Sequence, residues 1–263
     1  MAKVPVSVVI IAKNEEKNLP GCLESVHGWA DEIIVVDDES IDRTVEIAEQ
    51  FGAKVFQRRM DNEGTHRNWA YDQARCDWVF SLDADERISP ELRDEIDQTL
   101  PNAEFLTYMM PRRNYIGDYW VRHGGQYPAQ QRRLFRKGKI RYEEVEVHPR
   151  MFVEGGHKGR LTKDIIHYSY KNIEHFLAKL NGQTTLEAKK WFQTNREMSF
   201  GRAVWRMMDR FPRTYLRKKG YKDGFYGFMF SFMASLYQII SYAKYWELKK
   251  KAQVSGTQER QNV

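Results

Sequence analysis

The chain has 263 residues, 41% of them apolar and 13% aromatic, with a net charge of +6, which suits one large domain or a domain with a helical appendage. Two cysteines, Cys22 and Cys76, exclude a disulfide framework and a cysteine-based metal or redox motif, and suit a reducing compartment. The average charge hides an asymmetry: residues 1–110 hold 11 Lys+Arg against 23 Asp+Glu, and residues 111–263 hold 31 against 13, so an acidic front suited to a metal precedes a basic back suited to phosphates.

In chain order, Val6–Ala12 (VSVVIIA) reads as a buried strand, too short and too soon followed by charge to be a signal peptide. A helix over Glu16–Val26, a strand over Glu32–Val36 and a helix over Ile41–Phe51 follow. Ala53–Gln57 is a shorter strand, His66–Ala74 a helix and Trp78–Leu82 another buried strand. Strands alternating with helices through short connections imply a parallel sheet covered on both faces. Ligands of such sheets bind beyond the carboxyl ends of the strands. The polar clusters fall there: Lys13-Asn14-Glu15, Asp37-Asp38 and Asp83 to Glu86. Ser40 is the expected cap of the second helix, with Asp42 and Glu46 at its positive end.

From Pro111 the pattern loosens. Tyr115–Pro128 reads as a loop rich in glycine and aromatics, Gln131–Phe135 as a strand, and Asn172–Phe192 as a helix. There is no internal repeat, and the polar tail from 252 to 263 is expected to be disordered. In Phe200–Phe211 apolar residues recur at helical spacing while Arg202, Arg206, Arg210 and Arg213 line another side, as on an interfacial helix or a helix packed on a core. Phe225–Ala243 carries no charge across 19 residues, close to the ~20 a bilayer span needs. Ser231, Ser235, Gln238 and Tyr242 recur along it, however, and a spanning helix would strand them in hydrocarbon. The reading is therefore a helix lying in the interface or packed in a hairpin. Basic clusters on either side, Arg217 to Lys219 and Lys249 to Lys251, would attract anionic lipid.

The chemistry centres on Leu82-Asp83-Ala84-Asp85-Glu86. Two carboxylates at i and i+2 beyond a strand end can share a hard cation such as Mg²⁺ or Mn²⁺, although an acidic turn alone is common. Four segments in order, VSVVIIAKNEEKNL, IIVVDDESIDRT, HRNWA and WVFSLDADE, resemble the GT-A glycosyltransferases of family two, with most likeness to the bacterial lipopolysaccharide core β-1,4-glucosyltransferases. The resemblance covers residues 5–150 well and continues loosely beyond.

It implies an α/β, Rossmann-like GT-A domain over 1–170, with a nucleotide-sugar half to about 110 and an acceptor half over 111–170. A helical, membrane-associating region would follow over 171–251. Ala12, Asn14 and Glu15 would line a nucleotide pocket, Asp37 and Asp38 would contact uracil or ribose, and Arg67 would sit over base or phosphates. Asp83 and Ala84 would approach the ribose, and Asp85 with Asp83 would hold the cation, with His167 as a third contact or a structural histidine. Members of the family invert, so an acceptor hydroxyl attacks in line and a carboxylate takes its proton. Glu146 is favoured, with Glu144 and Glu143 open, because this chain reads His148-Pro149 where many relatives read His-Glu. Strand alternation would set Glu144 and Glu146 on one face and Glu143 on the other. Arg132 and Arg133 could fork to acceptor phosphate or carboxylate, and Trp120 and Tyr127 could stack on sugar rings or pack their own loop.

The implied reaction moves a hexose, glucose first among them, from a UDP-sugar to a hydroxyl of a lipopolysaccharide core or other glycolipid. It would run at the cytoplasmic face of the inner membrane on a peripheral or monotopic enzyme. A polyprenyl-phosphate sugar synthase is the nearest alternative. A non-catalytic membrane- or nucleic-acid-binding module is the alternative of another class, and the chain has no nucleic-acid motif to support it.

Overall fold

β1 (Val6–Ala12) is buried along nearly its whole length, because consecutive apolar residues feed opposite faces of the sheet. Val8, Ile10 and Ala12 enter one core with Leu19, Leu23, Val35, Ile47 and Phe80. Val9 and Ile11 enter the other with Ile34, Val36, Ala70, Tyr71 and Phe135. The structure, a computed structural model, describes residues 5–144, 150–155 and 157–261, with side chains as far as 253.

After β1 come α1 (Leu19–Glu24), β2 (Glu32–Asp37), α2 (Thr44–Gln50), β3 (Lys54–Gln57), α3 (Glu63–Asp72) and β4 (Trp78–Asp83). Then follow β5 (Glu86–Ile88), α4 (Pro90–Thr99), β6 (Thr107–Met110), β7 (Arg112–Ile116), β8 (Tyr119–Val121), β9 (Gln131–Arg136), β10 (Ile140–Tyr142), β11 (Met151–Val153), β12 (Gly159–Arg160) and β13 (Ile165–Tyr170). The main sheet has the order β12-β6-β9-β4-β1-β2-β3. β4, β1, β2 and β3 run parallel, and β9 returns antiparallel between β4 and β6. Register aligns the strand ends: Ala12 lies opposite Asp37, and Ile11 opposite Asp83. β13 pairs antiparallel with β5, with His167 opposite Glu86. This is the α/β, GT-A-type architecture the sequence implies.

The chain divides into two units, one of residues 1–114 and 128–169 and the other of 115–127 and 170–263. The segment 115–127, expected to be a loop, contains β8 and lends Ile116 and Val121 to a core with Phe176, Met229 and Phe230. The second unit is otherwise helical: α5 (Ile173–Gln193), α6 (Phe200–Pro212) and α7 (Gly224–Gln261). Asn172 caps α5 and Ser199 caps α6 through their side chains. Gly227 has no room for a side chain, since a Cβ there would lie 1.8 Å from the Gly220 carbonyl oxygen.

One expectation is corrected here, and the reading of Phe225–Ala243 as a non-spanning helix stands. The tail does not end in disorder at 252, because α7 runs to Gln261; Lys, Ala, Gln and Glu extend a helix already nucleated upstream at little cost. Among the described residues no helix is long and apolar enough to cross a membrane. Within α7, Ser231, Ser235 and Ser241 are buried while Phe225 is 68% exposed. The serines of the polar stripe are thus turned inward, while Phe225, Phe228, Phe232 and Trp246 lie outward.

Candidate active site

The turns leaving β1 and β2 are laced together by side chains. Asn14 takes a left-handed conformation (φ 54°). Its N–H donates to Ser40 Oγ at 2.8 Å, and its Oδ1 accepts the Ile41 N–H at 2.9 Å. The Glu15 N–H donates to Thr44 Oγ1 at 2.8 Å, and the Glu16 N–H to Asp42 Oδ2 at 3.1 Å. Ser40 therefore serves the neighbouring turn and does not cap α2, which starts later, at Thr44. Asp37 is fully buried at the end of β2; one oxygen accepts the Ser40 N–H at 3.0 Å, and Oδ1 has no partner among the described residues.

Beside this rim lies a cavity of about 440 Å³ lined by Ile11, Asp38, Met60, Glu63, His66 and Arg67. Asp38 accepts the Met60 N–H at 2.7 Å and Lys13 Nζ at 2.9 Å. Burial pushes its carboxyl up, and the Lys13 and Met60 hydrogen bonds outweigh that, so it stays charged below the usual carboxylate range. His66 Nδ1 stands 2.8 Å from Arg58 Nη1. Arg58 can only donate, so the imidazole proton belongs on Nε2. That nitrogen is buried with no partner among the described residues, on a side chain lining the cavity. Burial and the Arg58 charge lower the His66 pKa against the opposing Asp38 and Asp61 charges.

The acidic turn after β4 is held by arginines. Glu86, fully buried, accepts the Asp83 N–H at 3.1 Å, Arg112 Nη1 at 3.0 Å and Arg133 Nη2 at 2.8 Å. Arg133 also pairs with Asp83, and Arg67 Nη2 lies 3.5 Å from the other Asp83 oxygen. Burial opposes ionisation of Asp83, but Arg133 and Arg67 prevail and hold its pKa far below the usual value. Asp85 Oδ2 lies 3.3 Å from His167 Nε2. His167 Nδ1 lies 2.8 Å from Asn114 Oδ1 and 2.7 Å from Ser169 Oγ. Asp85 can only accept, so the imidazole proton lies on Nε2 and Nδ1 accepts from Ser169 Oγ. With the proton moved to Nδ1, donating to Asn114, Asp85 and His167 would offer a divalent ion an oxygen and a nitrogen.

Asp83 does not join that pair. Among the described residues no three His, Cys, Asp or Glu side chains gather around one point. Asp83, expected to share the cation with Asp85, has its two oxygens paired with Arg67 and Arg133. Arg133, expected to meet the acceptor, is 7% exposed and bound to Asp83 and Glu86, where it fixes the acidic turn. β9 beside β4, with Leu134 opposite Phe80, brings Arg133 to this rim.

β10 is clamped to α3 by Asn68, whose Nδ2 donates to the Tyr142 carbonyl at 2.9 Å and whose Oδ1 accepts the Tyr142 N–H at 2.7 Å. Arg67 lies over the Tyr142 ring, 5.8 Å from its centroid. The strand ends at Tyr142, so Glu143 and Glu144 leave it in irregular backbone. Glu143 exchanges hydrogen bonds with Arg150, and Glu144 is exposed. Glu146 lies outside the described residues. Arg132 is half-buried, with Nη1 3.7 Å from Met151 Sδ. Trp120 and Tyr127, in the second unit, pack edge to face at 5.2 Å.

Against known proteins, the model of glycosyl transferase family 2 matches residues 7–153. The chain belongs to glycosyl transferase family 2. It is a glycosyltransferase, and the family match spans the two laced turns, the cavity and the acidic turn. Among its relatives is the lipopolysaccharide core biosynthesis glycosyltransferase LpsC of Rhizobium meliloti, 27% identical over 93% of each chain. An uncharacterized glycosyltransferase of Rickettsia typhi is 30% identical over 94% of this chain and 88% of its own. Of solved structures, S. aureus TarS in complex with UDP aligns at TM-score 0.48 and 15% identity, over 82% of this chain and 74% of that one.

Within this family 2 domain the sequence reading missed His66, Arg58 and Glu86. His66 precedes Arg67 in HRNWA and reads as one more polar helix residue. Glu86 reads as the end of an acidic run, since its arginine partners lie 26 and 47 residues away.

Proposed function

We propose that this family 2 enzyme transfers a hexose, glucose first among candidates, from a UDP-sugar to a hydroxyl of a lipopolysaccharide core or other glycolipid, with inversion and a divalent cation. The observation that carries the reading is the shared rim. Ala12, Asp37 and Asp83 end three parallel strands, Asp37 opposite Ala12 and Asp83 opposite Ile11, beside a cavity that Asp38, His66 and Arg67 line. Asp38 and the His66 Nε2–H offer an acceptor and a donor suited to a uridine, and Arg67 a charge suited to the diphosphate. The similarity to LpsC, a lipopolysaccharide core enzyme by name, favours a glycolipid acceptor.

Asp85 and His167 are the residues that would hold Mg²⁺ or Mn²⁺. When bound, the ion supplies Lewis-acid neutralisation of the charge on the departing diphosphate. Arg133 and Glu86 fix the turn that carries Asp85, and Arg67 brings a second positive charge to the same rim. A glutamate from Glu143, Glu144 and Glu146 takes the proton of the attacking hydroxyl. The second unit is proposed to rest on an anionic membrane surface at the cytoplasmic face of the inner membrane. Its outward aromatics and excess of lysine and arginine support that.

The test is a thermal-shift and turnover panel of nucleotide sugars with and without Mn²⁺. A UDP-hexose should raise the melting temperature in an ion-dependent way, and chelator should stop transfer. Stabilisation by no UDP-sugar, or full turnover in excess chelator, would refute the reading.

A further inference from the structure

The second unit contains a cavity of about 530 Å³ whose walls include Arg206, Arg210 and Arg213 from the end of α6, with Trp205, Tyr237 and Gln238. Two carboxylates, Asp209 and Glu187, also reach it. Asp209 is engaged by Arg213 at 3.2 Å. Arg206 and Arg210 form no ion pair among the described residues, and Arg210 Nε is buried without a partner. Burial and the nearby Arg196 and Arg202 charges lower the Arg206 pKa, so an anion entering here would relieve crowding among like charges. Guanidiniums with free donors form forked, charge-assisted hydrogen bonds to phosphate oxygens.

The cavity has an apolar neighbour. Arg210 and Tyr237 also line a second space of about 180 Å³ whose other walls include Phe176, Leu180, Phe230 and Ala234. On α6, Trp205 is 66% and Met208 65% exposed, so the helix that carries the arginines also presents apolar surface to solvent. A ligand that satisfies both spaces is amphiphilic, with an anionic oxygen-rich head and a hydrocarbon arm. We propose that this cavity binds the phosphomonoester head of a lipid, with hydrocarbon entering the adjoining cleft. The proposal refines the membrane-surface reading and rests on it only for the source of the lipid.

The test is isothermal titration of the full chain with dihexanoyl phosphatidic acid kept below its micelle concentration. sn-Glycerol 3-phosphate and dihexanoyl phosphatidylcholine are titrated alongside. The phosphatidic acid should bind at least about tenfold more tightly than either, and Arg206→Ala with Arg210→Ala should weaken it at least about tenfold. Circular dichroism and the UDP-induced thermal shift verify that this variant folds, and Arg206→Gln alone serves if it does not. Equal affinity for glycerol 3-phosphate would assign the cavity to free phosphate and overturn the lipid. Equal affinity for the phosphatidylcholine, or an unchanged variant, would overturn the phosphate. Because the probe is monomeric, the result reads even if the chain binds no vesicle, and vesicle binding without this preference would leave the surface reading standing alone.

Discussion

At the residue scale, the site depends on which partner each charged group has. Asp85 faces His167, whereas Asp83 is claimed by arginines. Asp85→Ala should therefore lower turnover at least about 100-fold, with initial rates against Mn²⁺ concentration as the check, and an unaltered Mn²⁺ response would count against its role. His66 gives a pH prediction. Its folded pKa lies below the ordinary 6.5 because of burial and Arg58, so between those two values the unfolded chain binds the extra proton. The stability it contributes is full above 6.5 and is lost as pH falls toward the folded value. Melting temperature should drop from pH 7 to about pH 5, and His66→Gln should flatten that drop. The sequence disclosed Asp37, Asp38, Asp83 and Asp85, because short-range runs announce a strand end. It hid the Glu86 to Arg133 pair, because nothing local tells which of many arginines will meet a buried carboxylate.

At the element scale, the parallel strands were legible because a strand buried on both faces must be apolar throughout, as VSVVIIA is. β9 was legible as a strand but not in its place, since insertion between β4 and β6 is a long-range event with no signature in QRRLFR. The polar face of α7 was visible as a stripe, yet its direction was not; burial of Ser231 and Ser235 depends on what packs beside it. The Asn68 clamp yields a further prediction. Asn68→Ala would leave both backbone groups of Tyr142 without partners and should cost about 2 kcal/mol, read from the urea midpoint. It should also lower kcat, since Glu143 and Glu144 follow directly from the clamped strand; a variant as stable and active as the parent would show the clamp to be dispensable.

At the scale of the whole molecule, the division of charge into an acidic front and a basic back, with 31 Lys+Arg against 13 Asp+Glu from 111 onward, gives a prediction that no single residue makes. Binding to anionic vesicles should weaken at least about tenfold as salt rises from roughly 0.05 to 0.5 M, and a chain ending at Met198 should bind far less than the full chain in a sedimentation assay. Salt-independent binding, or equal binding by both chains, would dismiss the membrane-surface reading. The family and the first unit's architecture were readable from four ordered motifs. The assignment of 115–127 to the second unit was not, since it follows from packing with helices that begin about fifty residues later.

That assignment bears on biosynthesis. The His123 N–H donates to Asp223 at 2.6 Å, with Tyr119 OH also reaching that carboxylate at 3.3 Å, across a separation of 100 residues. A ribosome delivers His123 long before Asp223. While the remaining codons are read, the nascent segment must stay uncommitted, and a stop codon upstream of Asp223 would leave it without its acceptor even though the parallel strands of the first unit had already emerged.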